Sequence, residues 1–374
     1  MKKICFIVSS PYTAYTFLNA PIKQLAKNYE IFMIANYNQN ELGYLKELPI
    51  KKIFYFQIIR KISLFKDLRC LFKMISFFKK NKFDAIHSVS PKAGFLAMIS
   101  GNLALIRMRT HTFTGQVWAT KRGLFRFILK LMDHIIVRSA TNILVDGKSQ
   151  LKFLHNNNIG KIKSQILGSG SISGVSTKRF YPSNKIRENI RKKMNIPKNE
   201  WVFMFLGRLN KDKGVVDLIR AFGKIDQKKH KCSLYLVGID EERIKIKYGT
   251  KFSKIYFQPY EKFPEKLLQA CDTFCLPSYR EGFGISAIEA SSLKKPVICS
   301  DIYGLKETVI DGVTGFKHKV GDVKHIRKQL EFVLSNKILM EKIGENGRKY
   351  VEKKFSEQTM VKAWDNFYIK NLIL

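Results

Sequence analysis

Short apolar runs alternate with longer amphipathic stretches along the whole chain. In the first half the β-rich runs are KKICFIVS (2–9), EIFMIAN (30–36), KIFYFQI (52–58) and FDAIHSVS (83–90). TNILVDGKSQ (141–150) then reads as a strand running into a helix start. Ahead of FDAIHSVS, the segment SLFKDLRCLFKMISFFKKNK places apolar residues at 65, 68, 71, 72, 75 and 78, which is helical spacing. Strand, helix, strand in this rhythm predicts a parallel sheet with helices on its faces. From Leu167 to Asn184 the pattern lapses into LGSGSISGVSTKRFYPSN, a turn-laden connector. The rhythm then restarts with WVFMFLG (201–207), CSLYLVG (232–238), KIYFQP (254–259), TFCLPS (273–278), PVICSD (296–301) and TGFKHK (314–319).

The expected fold class is therefore α/β, with two doubly wound Rossmann-like domains facing each other across a cleft. The predicted boundaries are 1–180 for the first domain and 181–355 for the second, with 356–374 as a final helix returning to the first. A chain of 374 residues is long for one core, which agrees with two domains. The N-terminal run Ile4–Val8 is short and is followed by Ser-Ser-Pro, so it reads as a first strand and not as a signal peptide. GFLAMISGNLALI (94–106) is broken by Gly101 and Asn102 and is too short to span a bilayer. Six scattered cysteines without a Cys-x-x-Cys pair point to buried thiols in a reducing compartment.

Charge changes the picture most. The chain carries 67 Lys and Arg against 30 Asp and Glu, a net +37. Residues 1–179 hold 29 of these cations but only 7 of the carboxylates, a net +22. Such a field favours a polyanion or an anionic membrane surface. No helix-turn-helix, zinc finger or RNA-binding aromatic pattern supports nucleic acid. Codon bias towards lysine is the plainer account of the excess. The helix predicted from Leu64 either lies on a membrane or simply crosses over the sheet, and crossing over is the commoner use.

Candidate chemistry sits in two loops of the second half. In GRLNKDKGVVDLIRAF (207–222), Gly207 ends a strand, Arg208 and Lys213 overhang a turn, and a helix opens near Val215. A helix mouth presents unpaired amides and partial positive charge, so this loop suits a diphosphate, with a solvated basic turn as the plain alternative. In LPSYREGFGISAIEA (276–290), Glu281 lies on a loop and Glu289 about two turns inside the following helix, with Gly282, Phe283 and Gly284 between them. Carboxylates so spaced are poorly placed to share a metal ion but well placed to hold different hydroxyls of one extended ligand.

These runs together, E-G-F-G-x4-E with the preceding LPS, the following KKPVICSD and GLKETVIDGVTGF, the loop GRLNKDKG, LVG (236–238) and the GSGSISGVSTKRF connector, resemble the retaining glycosyltransferases of family 4. The resemblance spans roughly residues 83 to 355 and implies the GT-B fold. It implies that Glu289 binds the ribose of a nucleotide-sugar donor and that Glu281 contacts the donor sugar. The amides of Phe283 and Gly284 would lie near sugar and phosphate, and Arg208 and Lys213 would neutralise the departing diphosphate beside Gly207. No Asp-x-Asp occurs in the chain, so no metal and no other cofactor is expected. On the acceptor side, RTHTFTGQVWATKRG (109–123) resembles the family's histidine-bearing loop, which makes His111 the candidate contact to the donor near its reacting carbon. His87 matches a strand-end position that would line the acceptor side. SSPYTAYTF departs from the glycines of many relatives, and Tyr12 and Tyr15 would instead meet the acceptor. The implied activity is retaining transfer of a hexose or N-acetylhexosamine, with UDP as the favoured nucleotide, to a polyprenyl-diphosphate-linked saccharide in O-antigen or capsule assembly. The expected location is cytoplasmic, peripheral on the inner membrane face. A sugar-nucleotide epimerase of the same fold and a non-enzymatic basic membrane- or polyanion-binding protein are the alternatives.

Overall fold

The computed structural model describes residues 1–59 and 63–373. The chain divides into two compact units, Met1–Gly174 with Glu357–Leu374, and Val175–Ser356. Leu374, the last residue of the predicted C-terminal helix, lies outside the described residues.

The first unit holds strands β1 (Lys3–Val8), β2 (Glu30–Ala35), β3 (Lys52–Tyr55), β4 (Ala85–Val89), β5 (Met108–Phe113), β6 (Asn142–Val145) and β7 (Ser164–Ile166). They pair in the order β3-β2-β1-β4-β5-β6-β7, with every ladder parallel. From β1 the chain builds the sheet outward first towards β3 and then, from β4, towards β7, so the strand order reverses at the β1–β4 junction, which is the topological switch point. β1 and β4 are buried almost throughout because helices cover both faces. One face carries the helices Leu64–Asn81, Pro91–Leu103 and Gly123–Ser139; the other carries Asn19–Leu25 and the C-terminal helix Glu357–Tyr368. That last helix is tied down by Trp364 Nε1 donating to Ile172 O at 2.9 Å and Gln24 Nε2 donating to Asp365 Oδ2 at 2.6 Å.

The second unit holds β8 (Trp201–Leu206), β9 (Cys232–Val237), β10 (Ile255–Gln258), β11 (Thr273–Leu276), β12 (Val297–Ser300) and β13 (Gly315–His318). Their order, β10-β9-β8-β11-β12-β13, is again all parallel, with the switch point between β8 and β11. The six cysteines are free and buried, packed as small hydrophobes. Among the described residues no helix is long and apolar enough to cross a membrane.

Two strands depart from the sequence expectation. β5 takes in the first five residues, 109–113, of the stretch read as a loop after a strand end, and β7 was not foreseen. The alternation that would mark β5 is hidden because Thr110, His111 and Thr112 are polar yet buried.

Candidate functional site

In the second unit the carboxyl ends of β8 and β11 bring the two sequence loops together. After β8, Gly207 N donates to Val237 O at 3.0 Å, and Asn210 caps a single 3-10 turn, Lys211–Lys213, by accepting from Lys213 N at 3.1 Å. Gly214 follows at φ +67°, a left-handed conformation that costs a non-glycine residue about 1–2 kcal/mol. A Cβ there would also fall 2.0 Å from Pro277 O. The helix Val215–Phe222 opens directly on this glycine, with no side chain capping its first turn. After β11, Gly284 repeats the arrangement: φ is +69°, a Cβ would fall 2.3 Å from Leu305 Cδ2, and the helix Ile285–Ser292 opens without a side-chain cap. Two helix mouths with uncapped amides thus flank the switch point, a combination that receives anions.

The charged residues converge on the same edge. Lys213 Nζ meets Glu281 Oε1 at 2.5 Å, and Ser278 Oγ donates to the same oxygen at 2.7 Å. The pair is sheltered, with 19% of the lysine side chain and 11% of the glutamate exposed. The residues are 68 positions apart in sequence and share a site only because β8 and β11 are adjacent. Arg280 reaches back to Asp212 at 3.3 Å, and Tyr279 OH donates to Asp217 Oδ2 at 2.7 Å, so the loop after β11 is bonded to the loop and helix after β8. Arg208 points elsewhere, into a half-exposed pair with Glu241 at 3.1 Å, and Asn210 Nδ2 donates to Glu241 Oε2 at 2.6 Å. Phe283 turns its ring into the core, edge-on to Phe355 at 5.0 Å, which leaves its backbone as the part available to a ligand.

Glu289 lies on the helix Ile285–Ser292 as expected. Desolvation by its surroundings raises its carboxyl to about 7, opposed by the Arg179 guanidinium and assisted by the Glu265 carboxylate. Arg179 itself holds Glu265 through Nε and Nη2 at 3.1 and 2.8 Å. A groove beside this pair is lined by Lys178, Tyr181 and Gln269. Sequence reasoning missed Asn210, Glu241, Ser278 and Arg179. Only Asn210 carried a local signal, an Asx residue three positions ahead of the turn's end. The others are defined by contacts across the fold.

In the first unit the carboxyl edge around the β1–β4 switch point is built from hydroxyls and aromatic rings. Ser10 precedes the helix Pro11–Phe17, which carries Tyr12 and Tyr15 to that edge, where both rings pack on Tyr44 at 6.0 and 5.4 Å. Ser90 Oγ donates to Ser9 Oγ at 3.2 Å across the β1–β4 switch point. His87 is not on this surface. Its ring is 0% exposed, stacked on Phe6 and Trp364, and both nitrogens are engaged, with Tyr368 OH at 2.8 Å and Thr112 Oγ1 at 2.7 Å. The acceptor-lining expectation for His87 is therefore corrected: it fastens the C-terminal helix to the sheet. Burial lowers its pKa to about 3, so it is neutral. His111 is equally enclosed, with Nδ1 bonded to Ser88 Oγ at 2.8 Å and the ring against Gly94, where a Cβ would fall 2.3 Å from Cε1. Burial lowers it to about 3 as well, but its Nε2 has no hydrogen-bond partner among the described residues.

Solved structures share this architecture. Sucrose-phosphate synthase from Thermosynechococcus elongatus superposes with a TM-score of 0.83 over 99% of each chain at 19% identity. HepE from Anabaena in complex with UDP gives 0.81 over 99% of this chain and 100% of its own at 17% identity. The fold is that of the GT-B glycosyltransferases. The particular family follows from sequence: residues 186–350 match the model for glycosyl transferases group 1. The capsular polysaccharide biosynthesis glycosyltransferase CapM of Staphylococcus aureus is 34% identical over 316 residues, 83% of this chain and 82% of CapM. The UDP-Gal:alpha-D-GlcNAc-diphosphoundecaprenol alpha-1,3-galactosyltransferase of Escherichia coli is 25% identical over 84% of this chain and 82% of its own length. The chain belongs to the group 1 glycosyltransferases. It is an enzyme of sugar transfer, which sets aside both the epimerase and the non-enzymatic binding protein.

Proposed function

We propose that the chain transfers a hexose or N-acetylhexosamine, with retention of configuration, from a UDP-sugar to a polyprenyl-diphosphate-linked saccharide during surface-polysaccharide assembly. The observation that carries this reading is the meeting of Lys213 and Glu281 between two uncapped helix mouths at the switch point of the second unit. In this reading the diphosphate lies against those mouths, and Lys213 exchanges part of its bond with Glu281 for a phosphate oxygen. A charge-assisted bond to an oxygen that gains charge as the glycosidic bond breaks stabilises the transition state more than the ground state. Glu281, released, accepts hydroxyls of the donor sugar. Glu289, as carboxylate, accepts the two ribose hydroxyls. Arg208 turns from Glu241 to the diphosphate, a small change for a half-exposed side chain. His111 contributes its unpartnered Nε2 to the sugar, which requires the side chains around it to part. Tyr12 and Tyr15 meet the acceptor.

The nucleotide and acceptor classes are supported by the names of relatives. The galactosyltransferase of Escherichia coli is named for a UDP-sugar and a diphosphoundecaprenol-linked acceptor. A relative from Campylobacter jejuni, 25% identical over 92% of each chain, is named as an alpha-1,3-N-acetylgalactosaminyltransferase acting on an undecaprenol diphosphate. Such an acceptor supports a peripheral position at the cytoplasmic face of the membrane, and the motif E-G-F-G-x4-E supports the narrower placing in family 4. Incubation with radiolabelled UDP-sugars and a membrane extract, with a chelator present, tests the reading. Lipid-extractable label from at least one UDP-sugar is expected. Loss of that label on adding chelator, or UDP binding that survives Glu289→Ala unchanged, would overturn the metal-free site or the ribose assignment respectively.

A further inference from the structure

The first unit carries two helices that each show an apolar stripe to the outside in addition to the one they bury. In Leu64–Asn81 the buried residues are Cys70, Met74 and Phe78. Phe65, Leu68 and Phe72 recur at i, i+3 and i+7 and are 89%, 51% and 66% exposed. At about 100° per residue they lie together on a separate face. In Gly123–Ser139, Leu124, Phe127 and Leu131 form the same spacing and are 73%, 64% and 47% exposed. Single exposed apolar residues are ordinary, but two such stripes on one layer are not.

Both stripes lie at the same end of that layer. Lys92, just after β4, forms an ion pair with Asp67 in the first turn of Leu64–Asn81, so that turn sits at the carboxyl edge of the sheet. At the far end of the other helix, Ser139 O accepts from Arg109 Nε at 2.7 Å near the start of β5, which leaves the Leu124 end at the carboxyl edge as well. The helix Pro91–Leu103 packs against both and lies between them. The exposed charge on the two helices has one sign. Lys66, Arg69 and Lys73 are exposed beside the Phe65–Phe72 stripe. Of the two carboxylates, Asp67 is paired with Lys92, and Asp133 is buried and accepts from Trp118 Nε1 at 2.7 Å. Neither helix offers an exposed carboxylate to repel an anionic surface.

We infer that the first turns of these two helices form a docking surface for an anionic lipid bilayer. The surface lies at the edge of the sheet that carries Tyr12, Ser9 and Ser90. Aromatic and aliphatic side chains enter the headgroup boundary while the flanking lysines and arginine attract anionic lipid. The inference rests on the proposed lipid-linked acceptor and gives that acceptor a direction of approach: its diphosphate end arrives at the carboxyl edge from the side of these helices.

Flotation of the full-length chain with phosphatidylcholine vesicles containing about a third phosphatidylglycerol tests this directly. The wild type is expected to float with these vesicles, to bind pure phosphatidylcholine poorly, and to be released as salt is raised towards about 1 M. Phe65→Ser with Phe72→Ser, and separately Phe127→Ser with Leu131→Ser, are each expected to weaken partitioning on the order of tenfold. Melting temperature and UDP binding should be unchanged, because these side chains are exposed and none belongs to the donor site. Sugar transfer to a short-chain, water-soluble acceptor analogue should survive, while transfer to acceptor in vesicles falls. Failure of the wild type to float, or undiminished flotation of both variants, would overturn the surface and leave the transferase reading standing. Loss of transfer to the soluble analogue in the wild type would instead count against that reading. A dimer in solution that the substitutions dissociate would assign the face to a second copy of the chain.

Discussion

The two parallel sheets have the same kind of switch point, yet their carboxyl edges are chemically opposite. That of the second unit is charged: Lys213 with Glu281, Arg208 with Glu241 and Arg280 with Asp212 all lie on the loops after β8, β9 and β11. That of the first unit presents hydroxyls and aromatic rings at its switch point, with two enclosed neutral histidines behind them, and its ion pair, Lys92 with Asp67, is set back between the neighbouring helices. Cations held in ion pairs are suited to a ligand that brings negative charge, because the anion replaces the carboxylate as partner. Neutral donors and aromatic faces are suited to a ligand that brings hydroxyls and little charge. In the proposed reading a shared fold thus supplies two sites, and the side chains on the loops, not the topology, divide donor from acceptor.

The sharpest way to break this comparison is at Lys213. Lys213→Ala is expected to lower kcat/KM on the order of 10²–10³-fold, since it removes a cation whose role grows as the leaving group departs. Steady-state transfer rates check this, and a loss below about tenfold would mean the diphosphate lies elsewhere. Next in size is His87→Ala in the first unit. It opens a cavity between Phe6 and Trp364 and leaves Tyr368 OH and Thr112 Oγ1 without their partner, so it should cost about 3 kcal/mol of stability by denaturant unfolding. UDP affinity should be retained if the units divide the work as described. Glu289→Ala should raise the UDP Kd roughly 10- to 100-fold in calorimetry, the loss of two hydrogen bonds to a charged acceptor.

The smallest effects are those of pH. Glu289 titrates at about 7, so its carboxylate is the minor form at pH 6 and the major form at pH 8. UDP affinity should therefore rise severalfold between those values and flatten in Glu289→Gln. The stability contribution of the same group has the opposite slope: a carboxyl raised in the folded state binds more protons than the unfolded chain between about 4.5 and 7, so stability falls as pH rises through that window. His87 and His111 work the other way. Their folded values of about 3 lie below the ordinary 6.5, so their contribution is complete above 6.5 and is lost progressively as pH falls. Burial raises Asp133 and Asp146 of the same unit to about 7, which acts in the opposite sense, so the histidine contribution is read as the difference in acid stability between the wild type and His87→Ala, followed by Trp118 and Trp364 fluorescence.

Much of the charged edge was readable in sequence, and little of the neutral one. The loop after β8 announces itself through glycines at φ-demanding positions and lysine at a helix mouth, and the Glu281–Glu289 spacing through helix geometry; both are local. What sequence could not supply was the partner of each charge, because Lys213–Glu281 and Arg208–Glu241 span 68 and 33 residues. In the first unit the failure had one cause. Polar residues in β4 and β5 looked like surface chemistry, but Thr112 and Tyr368 satisfy both ring nitrogens of His87, and Ser88 the Nδ1 of His111, inside the core. His87 was thereby read as a site residue when it is a structural one, and β5 as a loop when it is a buried strand. Period-two alternation marks a half-buried strand; a fully covered one with tertiary hydrogen bonds leaves no such trace.

Hydrogen–deuterium exchange with and without UDP tests the division between the two edges most directly. Protection is expected to concentrate in the amides of residues 207–216 and 281–290, at the two helix mouths and the turn of Glu289. Unchanged exchange in both segments, with protection appearing instead behind β4 and β5, would contradict the account.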